Sequence, residues 1–178
     1  MYNTLKPLCN EKRYVAIYDD CNDTSKFKFG VLLCVDDAYF ALASITPNGD
    51  YDGIVVDETD DVFRVDCCGN YHNKMAKLSR ICKDALELPV WEQGEIIKSL
   101  LRFAQKVKRL ISFELSDSGI KDISGFVEDI SECVCKVHAI DEYGFDDGYS
   151  YIDMDSITQI TFDSEDEQRI ARLYNLRQ

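Results

Sequence analysis

The sequence is short of most features that disclose a function directly. It has two histidines, one tryptophan and three prolines in 178 residues. Nucleophilic catalysis needs a base within reach of its nucleophile. Neither His72 nor His138 stands in a local pattern with Ser or Cys that would supply one, so no catalytic role is expected. No apolar run approaches the ~20 residues needed to span a bilayer. The opening "MYNTLKPLCNEKRY" has no apolar core of the kind a secretory leader carries, so a cytoplasmic protein is expected. Positive charge is also scarce, with 20 Lys and Arg against 33 Asp and Glu and a net charge of −13. Such a surface repels phosphate backbones and anionic lipid unless a local basic patch overrides it. In a reducing compartment the eight cysteines read as thiols, not as a disulfide frame.

What the sequence does have is an echo of itself. "TPNGDYDGI" (Thr46 to Ile54) returns 95 positions later as "DEYGFDDGY" (Asp141 to Tyr149). The offset pairs Gly30 with Gly125, Gly49 with Gly144, Asp52 with Asp147 and Gly53 with Gly148 without a gap. Apolar positions track at the same offset, among them Leu32 with Val127, Val35 with Ile130 and Val62 with Ile157. Two tandem units are expected, residues 1–88 and 89–178.

Each unit reads as five short strands closed by a helix. The first strand is "RYVAIY" or "LISFEL". The second, "FKFGVLLCV" or "DISGFVEDI", carries an interior glycine that signals a sharp bend or bulge. The third is "AYFALASI" or "CVCKVHAI", and the repeated glycine turn follows it. The fourth is "GIVV" or "GYSY", and an acidic turn leads to the fifth, "VFRVDC" or "ITQITF". Ser164 with Glu167 three residues on is a capping box that opens the closing helix of unit two. Between the units, Ile96, Ile97, Leu100, Leu101, Ala104 and Val107 recur at helical spacing. No equivalent helix is expected before the first strand of unit one. The expected fold class is mainly β with helices (α+β), a tandem pair of strongly bent, closed or nearly closed five-stranded small barrels, each followed by a helix and joined by a helical linker.

This order resembles the Sm-like fold of RNA-associated proteins, with SH3-like barrels sharing the pattern. "GVLLCVDDAYF" supplies Gly30, Leu32, Val35, Asp36 and Tyr39 of the first Sm motif, and "GFVEDISECVC" supplies Gly125, Val127, Ile130 and Val134. The resemblance implies RNA binding, but the residues that carry it in the family are not retained. The base-contacting Asn is replaced by Phe40 and Cys135, Asp36 becomes Ser131 in unit two, and the basic turn of the second motif is acidic here. A carboxylate beside a phosphate is repulsive, and no cation replaces the lost one.

Several stretches invite a chemical reading. "NGDYDG" (Asn48 to Gly53) begins like a calcium loop but has Thr59 where a bidentate Glu belongs, which leaves a hairpin turn. Cys133 and Cys135 share one strand face while His138 takes the other, and adjacent Cys67 and Cys68 diverge in a strand. No metal site and no cofactor are therefore expected. Lys98, Arg102, Lys106 and Arg109 share one face of the linker helix, and are the candidate RNA contacts if any RNA binding survives. Tyr39, Tyr51, Tyr143, Phe145 and Tyr149, with Tyr151 beside them, cluster in or near the third and fourth strands and their loop. Tyr-rich acidic loops suit a protein partner. The expected function is that of a non-catalytic, bacterial-type interaction protein. Its alternatives are a divergent RNA binder working through the linker helix and an immunity-type neutraliser of a basic effector. Both a monomeric pseudo-dimer and a homo-oligomer are compatible with the duplicated edges.

Overall fold

The computed structural model describes residues 1–79 and 87–178. These form two units, Met1–Ile96 and Ile97–Gln178. Unit one contains helix α1 (Tyr2–Asn10), strands β1 (Tyr14–Tyr18), β2 (Lys28–Val35), β3 (Tyr39–Ile45), β4 (Tyr51–Glu58) and β5 (Arg64–Cys67), and helix α2 (Asn70–Leu78). Helix α3 (Ile96–Val107) leads into unit two. Strands β6 (Ile111–Leu115), β7 (Ile123–Ile130), β8 (Val134–Ile140) and β9 (Asp146–Asp153) follow. A 3-10 turn at Met154–Ser156, strand β10 (Ile157–Phe162) and helix α4 (Glu165–Asn175) complete it. Among the described residues no helix is long and apolar enough to cross a membrane.

The ten strands form open antiparallel sheet, which corrects the expectation of two closed barrels. The order is β5-β1-β2-β3-β4 in unit one and β10-β6-β7-β8-β9 in unit two. Within each unit the fourth and fifth strands therefore take opposite ends of the order, and among the described residues no ladder between them closes a ring. The connections explain why. After β4, Thr59 N donates to Ala38 O (2.8 Å), and Phe63 N then donates to Tyr18 O (3.0 Å), which delivers the chain to β1. After β9, Met154 N donates to Cys133 O (2.8 Å) and the 3-10 turn carries the chain away to pair with β6. The acidic turns are thus crossings, where a barrel would need tight hairpins.

Helix α1 is a second correction, because no helix was expected there. Pro7 lies inside it, and Leu5 is its single buried residue. Its apolar stripe is short, Tyr2, Leu5, Leu8 and Cys9, and Pro removes one helical hydrogen bond. Packing compensates: Leu5 sits with Val15, Ile17, Leu32, Val35, Phe40 and Leu42, flanked by Tyr2, Leu8 and Cys9. On the other sheet face, Met75 of α2 packs with Ala16, Tyr18, Phe29 and Ile45. Burial on both faces accounts for the unbroken apolar runs in β1 and β3. In unit two the α3 stripe Ile96, Ile97, Leu100, Leu101 and Ala104 is buried as its spacing requires. Ile170 of α4 packs with Leu110 and Ile140 on the opposite face.

The interior glycines of β2 and β7 are there for close approach. A Cβ on Gly30 would lie 2.0 Å from the Ala43 carbonyl oxygen, and one on Gly125 would lie 2.1 Å from that of His138. The register slips follow slightly later, between Leu32 and Cys34 and between Val127 and Asp129. The hairpin glycines Gly49 (φ +89°) and Gly144 (φ +79°) are left-handed and press against Leu78 and Leu173 respectively. Asp36 accepts from Tyr39 N (2.7 Å), and Ser131 Oγ accepts from Val134 N (3.0 Å). The motif Asp is thus a turn cap in unit one, and Ser131 takes the same task in unit two.

Candidate interaction surface

The β8–β9 hairpin gathers the most exposed aromatic residues of unit two. Its turn is fixed first. Asp141 accepts from Tyr143 N (3.0 Å) and Phe145 N (2.7 Å), and Gly144 N donates to Asp141 O (3.0 Å). These bonds turn Tyr143 and Phe145 outward, and both are exposed. Beyond α4, Arg177 lays its guanidinium 3.9 Å from the centre of the Phe145 ring and donates through Nε to Tyr143 O (3.1 Å).

Along β9, Tyr149 and Tyr151 alternate onto one face and are 58% and 70% exposed. Strand pairing sets Tyr149 opposite His138 and Tyr151 opposite Lys136. Lys136 Nζ lies 4.2 Å over the Tyr149 ring, and the His138 ring tilts against it at 5.3 Å. His138 Nε2 is 2.8 Å from Asp146 Oδ2. That hydrogen bond, with one from Gly148 N, holds the Asp146 carboxyl below its ordinary value. The His138 ring also meets Tyr174 of α4 edge-on at 6.2 Å. Strand β9 ends the unit-two order. Its acidic ends, Asp146, Asp147 and Asp153, are the kind of charge that discourages indiscriminate edge pairing.

The surface therefore combines four exposed rings with cations already placed on two of them. Rigid aromatics bring contact area at low conformational cost, and a cation over a ring is worth about 0.5–1 kcal/mol at an exposed site. The corresponding unit-one positions are entirely different: Ile54 and Val56, 95 residues earlier, are each 1% exposed. Tyr39 and Tyr51, the other two partner candidates, lie in unit one and are half-buried. The structure does not add them to the exposed set.

Of the four basic candidates, Lys98, Arg102 and Lys106 lie on α3, which ends at Val107, while Arg109 lies beyond the left-handed Lys108 and is not on the helix face expected of it. Lys98 pairs with Glu132 (3.2 Å) and Arg109 with Asp163 (2.9 Å). Arg102 and Lys106 are exposed. A groove of about 380 Å³ lies beside Lys98 and Arg102, lined also by Gln105, Asp129 and Glu132.

The cysteine and histidine positions resolve individually. Cys135 is fully buried, and burial pushes its thiol up to about 12, while Cys133 is exposed. His72 is buried. It serves α2 as a cap: its Nδ1 accepts from Gly69 N (3.3 Å) and its Nε2 is 2.8 Å from Asp66 O. "NGDYDG" is a hairpin, with Thr46 Oγ1 accepting from Asp50 N (3.2 Å), and Thr59 is fully buried.

One aromatic cluster has no counterpart in the sequence reading. Phe27, Phe63 and Tyr71 are exposed around Tyr18, with ring centres 5.4 Å (Tyr18–Phe27), 6.4 Å (Tyr18–Phe63) and 5.7 Å (Phe27–Tyr71) apart. Arg64 lies 4.4 Å over Tyr18. These residues come from four separate segments of unit one, and no local spacing marks them.

Comparison with known proteins adds little. No family model matches the chain, and no curated protein does. A solved structure of K. pneumonia MrkH in its apo state aligns over 98% of this chain and 90% of that one, at 11% identity and a TM-score of 0.19, a likeness too slight to carry an argument.

Proposed function

We propose that this is a non-catalytic interaction protein that docks a protein partner on the aromatic face of the β8–β9 hairpin. The observation that carries the reading is the pair Tyr149 and Tyr151, exposed at sheet positions where unit one has buried Ile54 and Val56. If the two units are copies of one ancestral module, a position freed from core duty has been filled with the residue type best suited to contact. Tyr is enriched at interfaces because it buries a large ring and keeps a polar tip. Arg177 and Lys136 hold their rings in place before any partner arrives, which lowers the ordering cost of binding. The RNA reading draws less support, since Lys98 and Arg109 already hold carboxylates. Two of four cations would have to exchange those for phosphates.

The test is site-specific photo-crosslinking in cells of the source organism. A photoreactive residue at position 151 is expected to trap one discrete protein, and a Tyr149→Ser/Phe145→Ser background is expected to abolish that adduct. The same probe at position 11, an exposed site in unit one, serves as control. An adduct identical from both positions, or one that survives the double substitution, would refute the assignment. Salt-sensitive RNA crosslinking through Arg102 and Lys106 in its place would favour the nucleic-acid reading.

A further inference from the structure

Strand β9 stands at the end of the unit-two order, with β8 on one side and, among the described residues, no strand on the other. An antiparallel strand spends alternate residues on its neighbour, and the register fixes which ones. Met154 N donates to Cys133 O (2.8 Å), with Val134 opposite Asp153. Alternation then makes Cys135 with Ile152, and Val137 with Ser150, the bonded pairs of this ladder. The β7–β8 turn agrees. Ser131 N donates to Val134 O (2.9 Å), so Val134 faces β7 and the next residue, Cys135, faces β9. Tyr149 and Tyr151 lie between the bonded positions. Their backbone N–H and C=O groups therefore face the open edge, beside rings that are exposed.

The charges around this edge are uneven. Asp146 and Asp147 lie at its start, Asp153 and Asp155 at its end, and all are exposed. His138 Nε2 contacts Asp146 (2.8 Å), and Asp153 Oδ1 accepts from Asp155 N (3.1 Å). The neighbouring cations are Lys136, over the Tyr149 ring, and Arg177, over the Phe145 ring. Four carboxylates thus bracket the two tyrosines. These ends argue against a second copy as occupant. Antiparallel pairing along the whole of β9 sets Asp153 against Asp146 or Asp147, and parallel pairing sets each beside its own copy. Like charges opposite one another in a ladder are destabilising.

We propose that the partner binds as an added strand: an extended segment of another protein, with Lys or Arg at both ends, that pairs with the open edge of β9. The inference rests on the hairpin reading above and adds how the partner is held. Backbone bonds to Tyr149 and Tyr151 supply affinity, and alternate side chains of the segment lie against the two rings. Terminal cations meet the acidic ends and set the choice of partner. The carboxylates that bar self-pairing are thereby the ones that select the occupant.

The probe is the capped peptide Lys-Val-Thr-Val-Thr-Val-Lys, compared with its Glu-ended counterpart. Each is titrated into the full chain, and amide hydrogen exchange is followed by NMR. The Lys-ended peptide is expected to bind roughly tenfold tighter at low salt, by a margin that shrinks as salt rises. It is expected to slow exchange at Tyr149 and Tyr151 and to leave Ser150 and Ile152, already bonded to β8, unchanged. Tyr151→Pro removes one outward N–H and spares the β8 ladder, at a place where an edge strand accepts proline. It is expected to melt close to Tyr151→Ser and to lose the peptide, whereas Tyr151→Ser still shows slowed exchange at Tyr149. Asp147→Lys/Asp155→Lys leaves the edge backbone intact and is expected to reverse the preference between the two peptides. No binding of the Lys-ended peptide, equal binding of both, or binding without slowed exchange at Tyr149 and Tyr151 overturns the inference. The hairpin reading fails separately, by its crosslink. A partner trapped at position 151 alongside any of those three results would keep the docking face and remove the added strand.

Discussion

Lys121 Nζ lies 2.7 Å from Oε1 of Glu167, a carboxylate that is 1% exposed beneath the first turn of α4. Ser112 (2.7 Å) and Thr161 (2.9 Å) donate to the same oxygen, and Ser164 N donates to the other (3.0 Å). The capping-box residue has thus become the centre of a buried polar network linking α4 to β6 and β10. A buried charge is tolerated only when its partners are complete. Glu167→Ala removes an acceptor shared by Lys121, Ser112, Thr161 and Ser164 N from a buried site and is expected to cost about 3 kcal/mol. Chemical denaturation monitored by circular dichroism would measure it.

The same network sets a pH dependence. Burial alone would push the Glu167 carboxyl up, but the Lys121 ammonium and the hydrogen bonds from Ser164 and Ser112 outweigh it and hold the carboxyl below its ordinary value. A depressed folded-state pKa contributes stability that is full above the unfolded value of about 4.3 and is lost as pH falls through the folded value. Native protein is therefore expected to lose stability between about pH 5 and 3. Glu167→Gln should flatten that part of the curve. Thermal melts of both proteins across this range are the check, and parallel curves would remove Glu167 as the cause.

Gly30 and Gly125 give a sharper prediction. A methyl group at either site would sit about 2 Å from a backbone oxygen of the neighbouring strand, which cannot move as a side-chain end can. Gly30→Ala and Gly125→Ala are each expected to cost about 3 kcal/mol through overpacking and strand displacement. Gly119→Ala is the control for a tight approach. No atom lies within 4 Å of the added Cβ, but its φ of +74° leaves a backbone penalty of about 1 kcal/mol. Equal losses at all three sites would show that close approach is not what selects glycine in β2 and β7.

The sequence carried the local structure well and the closure poorly. Alternating and continuous apolar runs located all ten strands, because a strand's side-chain period is written in neighbouring residues. Ser164 and Glu167 marked the start of α4 for the same reason. Helix α1 escaped because Pro7 interrupts its short stripe of Tyr2, Leu5, Leu8 and Cys9, and its stability comes from docking that stripe on the sheet. Barrel closure was misjudged because it depends on where the chain goes after β4 and β9. Hydrogen bonds to distant carbonyls, Ala38, Tyr18 and Cys133, decide that. Of the surface candidates, Tyr143, Phe145 and Tyr149 are exposed together. Tyr39 and Tyr51 are the same residue type at the starts of β3 and β4, yet are half-buried.

In unit one, Lys28 Nζ reaches Asp19 (2.7 Å) and Asp57 (2.6 Å) at once. Burial, opposed by Lys28, raises the Asp57 carboxyl, so its charge depends on that single ammonium. Lys28→Met leaves two close carboxylates uncompensated and is expected to cost about 3 kcal/mol. Part of that loss should return when Asp57→Asn is added. A double-mutant cycle by urea unfolding reads the coupling, and additivity within about 0.5 kcal/mol would dissolve the trio as an energetic unit.

The contrast between the two β hairpins can be tested by the same substitution made twice. Ile54 and Val56 are core residues, and replacing either with Ser removes buried apolar surface and inserts a hydroxyl without a designed partner. A loss of about 2–3 kcal/mol is expected at each. Tyr149 and Tyr151 are solvent-facing, and Ser there should change stability by less than about 0.5 kcal/mol per site, with a slightly larger effect at Tyr149 because Lys136 and His138 lean on its ring. The measurement is four melts, followed by the crosslinking assay with the probe at position 151 in the Tyr149→Ser variant. Stability unchanged and crosslinking lost is the signature of residues kept for contact. Stability lost at Tyr149 and Tyr151 to the degree seen at Ile54 and Val56 would make them part of the fold and would withdraw the interaction surface.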